Sequence, residues 1–194
     1  MKNNLTGIFH LVLCATMSAS MIASAQEVVY APPPATKLET LETNTGTILI
    51  KATGLIGSMS VNGATVSVIC KEDTDTGSGR KEYGVAIGLN APQTGNVDDW
   101  TIVDYEEMGP LLDAVDRLGK LDWSGISLSS FSATFQTTGG FRAVAFSARR
   151  SGSIEFSVRS RRMSKGLVMT QSQLAEFRGL VDQAARKIED LRTK

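Results

Sequence analysis

The order of strand-forming and helix-forming segments is the feature that most constrains this chain. From Thr47 onward, four runs typical of β-strands precede a segment with helical spacing of apolar residues, and the same order then repeats. Turn-forming pairs such as Asn62-Gly63 and Gly139-Gly140 separate the runs. The sequence therefore predicts an α+β fold of two tandem strand-strand-strand-strand-helix units, with antiparallel sheets and helices packed on one face.

The two helical segments, each with the strand before it, resemble one another residue by residue. With a shift of 66 positions, Ile102–Asp104 falls on Val168–Thr170, and the apolar stripe of the first helix falls on that of the last helix without a gap. Such a match indicates a weak internal repeat. We therefore predict one α+β domain over 47–194, built of two pseudo-repeats, 47–121 and 126–194.

Both helices carry signals near their first residues. Asp104 and Thr170 are each followed three residues later by Glu or Gln, which is the spacing of a capping box. Gly109-Pro110 interrupts the first helical pattern, and proline is favoured in the first turn of a helix. The regular part of this helix is therefore predicted to begin near Pro110.

The first 25 residues have the composition of a cleavable signal peptide. A short start with one lysine precedes a mostly apolar run, which ends on Ala23-Ser24-Ala25, the small-x-small pattern of a processing site. Cleavage is predicted after Ala25, so we expect a secreted or periplasmic protein. An uncleaved anchor is disfavoured, because a membrane span needs about 20 apolar residues. Lipidation at Cys14 is a second alternative, disfavoured by the bulk of Leu13.

Residues 26–46 are predicted to form a flexible segment. Pro32-Pro33-Pro34 favours extended polyproline geometry, and the threonines and glycine that follow add turn-forming content. Leu38 and Leu41, with glutamates beside them, predict at most a helical turn. We expect the segment to be loosely packed.

Removal of the signal peptide restricts the chemistry of the mature chain. The one histidine, His10, and one of the two cysteines, Cys14, lie in the segment that is removed. Without histidine, Ser-His and Cys-His nucleophile pairs and ordinary zinc sites are excluded. With Cys70 alone, no intramolecular disulfide can form, and its place in an alternating apolar strand predicts a buried, unreactive thiol. No cofactor is predicted.

Basic residues are concentrated in the second half of the chain. Residues 26–121 carry 14 acidic and 7 basic residues, whereas residues 122–194 carry 6 acidic and 12 basic residues. Side chains that alternate with the inward-facing Phe156 and Val158 point outward from their strand. Clustered arginines bind phosphate or carboxylate groups in fork geometry. The predicted polyanion-binding residues are Arg149, Arg150, Arg159, Arg161, Arg162 and Lys165.

Acidic residues crowd two places, a loop and the start of the first helix. Paired carboxylates hydrolyse glycosides at suitable separations, and alternate oxygen ligands bind calcium. The loop lacks the closing glutamate of an EF-hand, so no metal site is predicted, and capping explains the acids of the helix. A carboxylate-dependent hydrolase stays an alternative. The acids are Glu72, Asp73, Asp75, Asp98, Asp99, Asp104, Glu106 and Glu107.

Two strands carry small residues on one face. Such flat faces allow the close approach of a helix, another sheet or a second subunit, and packing of the first helix is the simplest explanation. A homodimer is compatible with them. The small residues are Gly84, Ala86 and Gly88 in one strand and Ala143, Ala145 and Ser147 in the other.

The tandem order of four strands and a helix resembles the Pur-alpha and whirly type of domain. The resemblance covers residues 45–190 in architecture, and it implies binding of single-stranded nucleic acid, as in the known members. Residues 102–107, the later Gly-Phe-Arg strand and the closing helix are similar to a family of small secreted bacterial proteins of unknown function. That similarity implies secretion and assigns no site residue.

The leading functional prediction is a non-enzymatic binding or interaction module of the cell envelope. Its partner is predicted to be an unknown protein or an anionic envelope component, and the mature chain has no segment that predicts a membrane span. The missing histidine, metal and nucleophile motifs disfavour an enzyme. Binding of nucleic acid or another polyanion through the basic half is the alternative. Nucleic acid is disfavoured, because no exposed aromatic residues for base stacking accompany the arginines.

Overall fold

The computed structural model describes residues 36–90, 99–147 and 153–194. Within these ranges the chain forms two four-stranded antiparallel sheets and three helices. The predicted α+β fold of two tandem units is confirmed. The predicted signal peptide over 1–25, which includes Cys14, lies outside the described residues.

The first unit follows a short helix, and each unit ends in a long one. The first sheet and its flanking helices are α1 (Lys37–Glu42), β1 (Leu49–Val61), β2 (Ala64–Asp75), β3 (Lys81–Asn90), β4 (Asp99–Asp104) and α2 (Tyr105–Gly119). The second unit consists of β5 (Ser132–Gln136), β6 (Arg142–Ser147), β7 (Ile154–Arg159), β8 (Leu167–Met169) and α3 (Gln171–Arg192). In both sheets the strands lie side by side in chain order.

The β1–β2 hairpin is the longest in the fold. Asn62 and Gly63 both have positive φ, 50° and 81°, so the two-residue turn matches the twist of the strands. Strand β1 contains the first of the strand-forming runs predicted from Thr47 onward. The strand continues to Val61 through a register shift between Leu55 and Gly57.

Helices α2 and α3 pack on the inner faces of the two sheets and join them in one core. Helix α3 follows the second sheet but contacts β1 and β2 of the first sheet. At the centre, the ring of Phe177 stacks on that of Phe141, with centroids 5.6 Å apart. Ala143 and Ala145 of β6 are buried in this core, and α2 contacts their strand, as the sequence predicted for the small-residue face.

Helix α1 packs on the opposite face of the first sheet. Thr36 and Glu39 form a capping box, and Leu38 and Leu41 are fully buried. A Cβ atom at Gly84 would lie 2.5 Å from Cδ1 of Leu38, so the missing side chain makes room for the leucine. The small face of β3 is therefore covered by α1 here and not by α2. The helical turn predicted at Leu38 and Leu41 is therefore a packed helix. Residues 26–35 of the segment that was predicted to be flexible lie outside the described ranges.

The start of α2 differs from the prediction in two ways. The helix is continuous from Tyr105, although Pro110 has no N–H to donate, so the prediction of a start near Pro110 was wrong. Asp104 makes no capping bond to α2; its carboxylate instead accepts bonds from the backbone N–H groups of Lys37, at 2.8 Å, and Leu38. The predicted capping box was wrong because the fold supplies donors from a distant part of the chain.

The capping box predicted at the start of α3 is confirmed. Thr170 accepts a bond from the N–H of Gln173, whose side chain accepts one from the N–H of Thr170. We expect Thr170→Ala to lower the free energy of unfolding by about 1 kcal/mol, since an orphan N–H of the first turn loses its partner. Urea denaturation measures the change. Thr193→Ala at the other helix end is the control, and an equal effect of both variants would contradict the capping role.

Candidate anion-binding surface

Four of the predicted basic residues lie together at one end of the second sheet. Arg159 ends β7, and Arg161, Arg162 and Lys165 lie in the connection to β8. All four side chains are exposed or half-buried. Arg149 and Arg150, which were also predicted to contribute, lie outside the described residues.

Arg142 is a fifth member that the sequence analysis missed. The register of β6 and β7 places Arg142 directly opposite Arg159, and the register of β5 and β6 places Gln136 on the other side of Arg142. The three side chains therefore form a row on the outer face of the sheet. The Gly139-Gly140 turn was the available signal, because it sets the register of the hairpin. We call Arg142, Arg159, Arg161, Arg162 and Lys165 the basic cluster.

Among the described residues, no carboxylate compensates the charge of the basic cluster. None of its five side chains forms an ion pair within the described parts of the chain, and the Nε atom of Arg142 is buried without a hydrogen-bond partner there. Like charges directly opposite each other on neighbouring strands are destabilising. The ion pairs of the fold use other basic residues, namely Lys37, Lys51, Lys71, Arg80, Lys81, Arg178 and Arg186.

Ser160 holds the loop that carries two of these arginines. It is buried between Arg159 and Arg161, and its hydroxyl donates to the carboxylate of Asp99 at the start of β4. The same oxygen accepts bonds from the backbone N–H groups of Arg162, at 3.1 Å, and Met163, at 3.2 Å. The loop is thus fixed to the first sheet, which lowers the entropy lost when a ligand binds.

Arg161 also packs against the turn between β5 and β6. Gly140 has a φ of 87°, and a Cβ atom there would lie 2.9 Å from the Cβ atom of Arg161. The absence of a side chain at Gly140 therefore lets the aliphatic stem of Arg161 lie across the turn. The Arg161 side chain as a whole is exposed.

The described acids around the start of α2 hold contacts with three other parts of the fold. Glu106 pairs with Lys37 at 2.8 Å. Glu107 accepts bonds from the backbone N–H of Thr138, at 2.7 Å, and from its hydroxyl. Asp104 binds backbone N–H groups of α1, and Asp99 binds the hydroxyl of Ser160. Each of the four described carboxylates therefore joins a different pair of elements. Asp98 lies outside the described residues.

The acids predicted to crowd a loop lie on strand β2 instead. Asp73 is fully buried, and burial together with the neighbouring carboxyl group of Glu42 raises its pKa to about 6. Burial also raises the pKa of Glu42, but hydrogen bonds from Lys71 and Lys51 outweigh this effect and bring it to about 2. At neutral pH the fold therefore holds an ionised Asp73 at a cost in stability.

We expect Asp73→Asn to stabilise the protein at pH 7 by roughly 1–3 kcal/mol, because a neutral amide removes the buried charge. The pKa of Asp73 is higher in the folded than in the unfolded chain, so its contribution to stability is present below about pH 4 and is lost as the pH rises through about 6. Urea denaturation at both ends of this window measures the change. A variant that is less stable than the parent at pH 7 would contradict the account.

Asp75→Asn is the matched control, with the opposite sign. Hydrogen bonds from the hydroxyl groups of Thr47 and Ser78 and from the N–H of Gly77 lower the pKa of Asp75 to about 2. Its ionised form stabilises the turn after β2. We therefore expect this variant to be less stable than the parent at pH 7.

Cys70 lies in the core, as its strand pattern predicted. Its thiol is buried, and the Sγ atom lies 3.6 Å from the carbonyl oxygen of Ala184 in α3. Burial raises the pKa of the thiol, which keeps it protonated at neutral pH.

Comparison with known proteins assigns no family to this fold and surface. The chain matches no protein-family model, no curated protein and no solved structure at a significant level. The likenesses to the Pur-alpha and whirly type of domain and to small secreted bacterial proteins stay predictions. Across the parts of the chain that the structure describes, every helix is too short or too polar to cross a membrane.

Proposed function

We propose that this chain is an exported, non-enzymatic binding module of the cell envelope, and that it holds an anionic envelope component on the basic cluster. One observation carries the proposal: five basic side chains from β6, β7 and the β7–β8 connection lie at one end of a sheet, and none has a carboxylate partner in the described chain. A bound anion supplies the missing compensation.

The chemistry of the cluster fits phosphate or carboxylate groups. Arginine side chains present parallel N–H donors that match two oxygens of one such group. Arg142 and Arg159 are opposite each other in register, so one anionic group can accept bonds from both. Arg161, Arg162 and Lys165 extend the charge beyond this pair. A component with several anionic groups is therefore a better match than a single small ion.

Two features favour this function over the alternatives. The four described acids around the start of α2 are held by contacts with α1, Thr138 or Ser160, and the chain from Gln26 onward has no histidine. Nucleic-acid binding favours aromatic stacking beside the basic residues. Phe146 is on the outer face of β6 and lies four residues from Arg142, which is about 13 Å along a strand. Its ring is therefore not beside this arginine.

The test is co-sedimentation of the exported, processed chain with vesicles. Its intact mass first establishes whether it begins at Gln26. We expect binding to vesicles that contain an anionic lipid, no binding to purely zwitterionic vesicles, and a steep loss of binding as salt is added. Soluble polyphosphate should compete.

Two outcomes would overturn the proposal. The first is that the chain binds no anionic probe at low ionic strength. The second is that a single-stranded oligonucleotide binds much more tightly than polyphosphate of equal charge, which would favour the nucleic-acid alternative. A mass that retains residues 1–25 would contradict processing at Ala25.

A further inference from the structure

The first half of β1 is an open sheet edge. Strand β1 is the outermost strand of its sheet, and residues 50–55 are all exposed, with Ile50 at 55% and Leu55 at 68%. One side-chain bond, from the amide of Asn62 to the carbonyl of Val168, lies at the far end of the strand. Soluble proteins usually protect such edges with charges, prolines or bulges. Here the one charge of the exposed stretch is Lys51, which is bound to Glu42 at 3.1 Å.

The hydrogen-bonding pattern shows which backbone groups this edge presents. The N–H of Thr76 donates to the carbonyl of Ile48 at 3.0 Å, and these two residues continue the β1–β2 register. Because hydrogen-bonded pairs alternate along antiparallel strands, the even-numbered residues of 48–54 bond to β2. The odd-numbered residues of 49–55 therefore direct their N–H and C=O groups toward the open edge, where no described residue pairs with them.

We propose that a second copy of this chain pairs with this edge, so that two β1 strands run antiparallel about a two-fold axis at Ala52. In this register Leu49 lies opposite the partner's Leu55, and Lys51 lies opposite the partner's Thr53. The two lysines are therefore not opposed. A two-fold axis at Lys51 would place them opposite each other, and like charges in opposite positions destabilise a sheet. The result is a continuous eight-stranded sheet with an isologous interface.

A groove on the inner face of β1 fits this partner. It has a volume of about 290 Å³ and is lined by Ala52, Gly54, Cys70 and Leu191 among others. A Cβ atom at Gly54 would meet no atom within 4 Å, so the space beside this residue is open. In the proposed register the partner's Ile50 lies opposite Gly54 on the same face. Its exposed side chain enters the groove, and the reciprocal contact buries the second Ile50.

A cysteine at the two-fold axis tests the pairing directly. Ala52 faces its own copy in a non-hydrogen-bonded pair, where the Cα atoms are about 4.5 Å apart, close enough for a disulfide. We expect Ala52→Cys to form a covalent dimer under mild oxidation. Thr53→Cys is the matched control: it lies diagonally from its copy, beyond disulfide reach, and should stay largely uncrosslinked. Equal cross-linking of the two variants, or none at Ala52→Cys, would overturn the proposal.

Light scattering of the exported chain, which measures its oligomeric state, is the second test of the pairing. We expect a dimer, and we expect Thr53→Pro to be a folded monomer at the same concentration, because it removes only an N–H that points to the open edge. If circular dichroism shows that Thr53→Pro is unfolded, Ile50→Lys is used in its place. This variant would bring a positive charge into the groove beside Lys187. A monomeric parent chain, or a folded variant that stays dimeric, contradicts the interface. The dimer does not depend on the basic cluster, so its failure would leave the proposed function standing.

Discussion

Simultaneous replacement of Arg159, Arg161 and Arg162 by glutamate is expected to weaken binding to anionic vesicles by about 10²–10⁴-fold. Each basic side chain near an anionic surface contributes about 1 kcal/mol, and reversal of its charge adds a repulsion of similar size. Three reversals therefore cost about 3–6 kcal/mol, and each 1.4 kcal/mol corresponds to about a tenfold change in affinity. Vesicle co-sedimentation at low salt measures the loss.

A control with the same change in net charge makes this test specific. Arg117, Lys120 and Lys194 are exposed, form no ion pair within the described ranges and lie outside the basic cluster. Their triple replacement by glutamate should weaken binding by less than about tenfold, through the general field of the protein. Both variants should stay folded, because the replaced side chains form no ion pair within the described ranges and a surface substitution usually changes stability by about 0.5 kcal/mol or less. Equal losses in the two variants would refute a localised site.

Replacement of Gly139 by alanine is expected to destabilise the fold by at least about 3 kcal/mol. The new Cβ atom would overlap the backbone carbonyl oxygen of Ile102 in β4 and lie 3.1 Å from Cγ2 of Thr36. A backbone oxygen inside a sheet cannot move aside as a flexible side chain can, so the turn between β5 and β6 must separate from the first sheet. This turn carries Gly140, on which Arg161 packs, so anion binding should weaken as well.

Urea denaturation measures this effect, and Gly179→Ala provides the contrast. Gly179 lies inside α3, is not followed by proline, and a Cβ atom there would meet no atom within 4 Å. Alanine is favoured over glycine in a helix interior by about 0.8–1.0 kcal/mol, so this variant should gain stability. If Gly139→Ala proves as stable as the parent chain, the packing of the turn against β4 is wrong.

Periodicity and turn chemistry were sufficient to predict the order of the elements from β1 onward. Alternation identified the strands, Asn62-Gly63 identified a tight hairpin, and Thr170 with Gln173 identified the start of α3. These signals are local, since each depends on residues close in the chain. Alternation along β7 predicted an outward-facing Arg159, and the run of basic residues after this strand indicated Arg161, Arg162 and Lys165.

The failures share one cause, which is competition from distant parts of the chain. Asp104 has the spacing of a helix cap, but α1 brings two backbone donors to its carboxylate. Leu38 and Leu41 have a weak local pattern, and both are fully buried because the sheet offers a face on which α1 packs, with room for Leu38 at Gly84. Arg142 joined the cluster only once the strand register was known. Whether its charge is compensated depends on which carboxylates the fold brings near, and no local pattern records that.

The most direct test of the anion-binding surface is to locate the bound anion. Nuclear magnetic resonance of the arginine side-chain Nε–Hε groups, during titration with short polyphosphate at low salt, reports each guanidinium separately. The largest shifts are predicted at Arg142, Arg159, Arg161 and Arg162, with smaller shifts at Arg178, which is already paired with Asp116. Uniform small shifts at all arginines, or the largest shifts outside the basic cluster, would contradict the account.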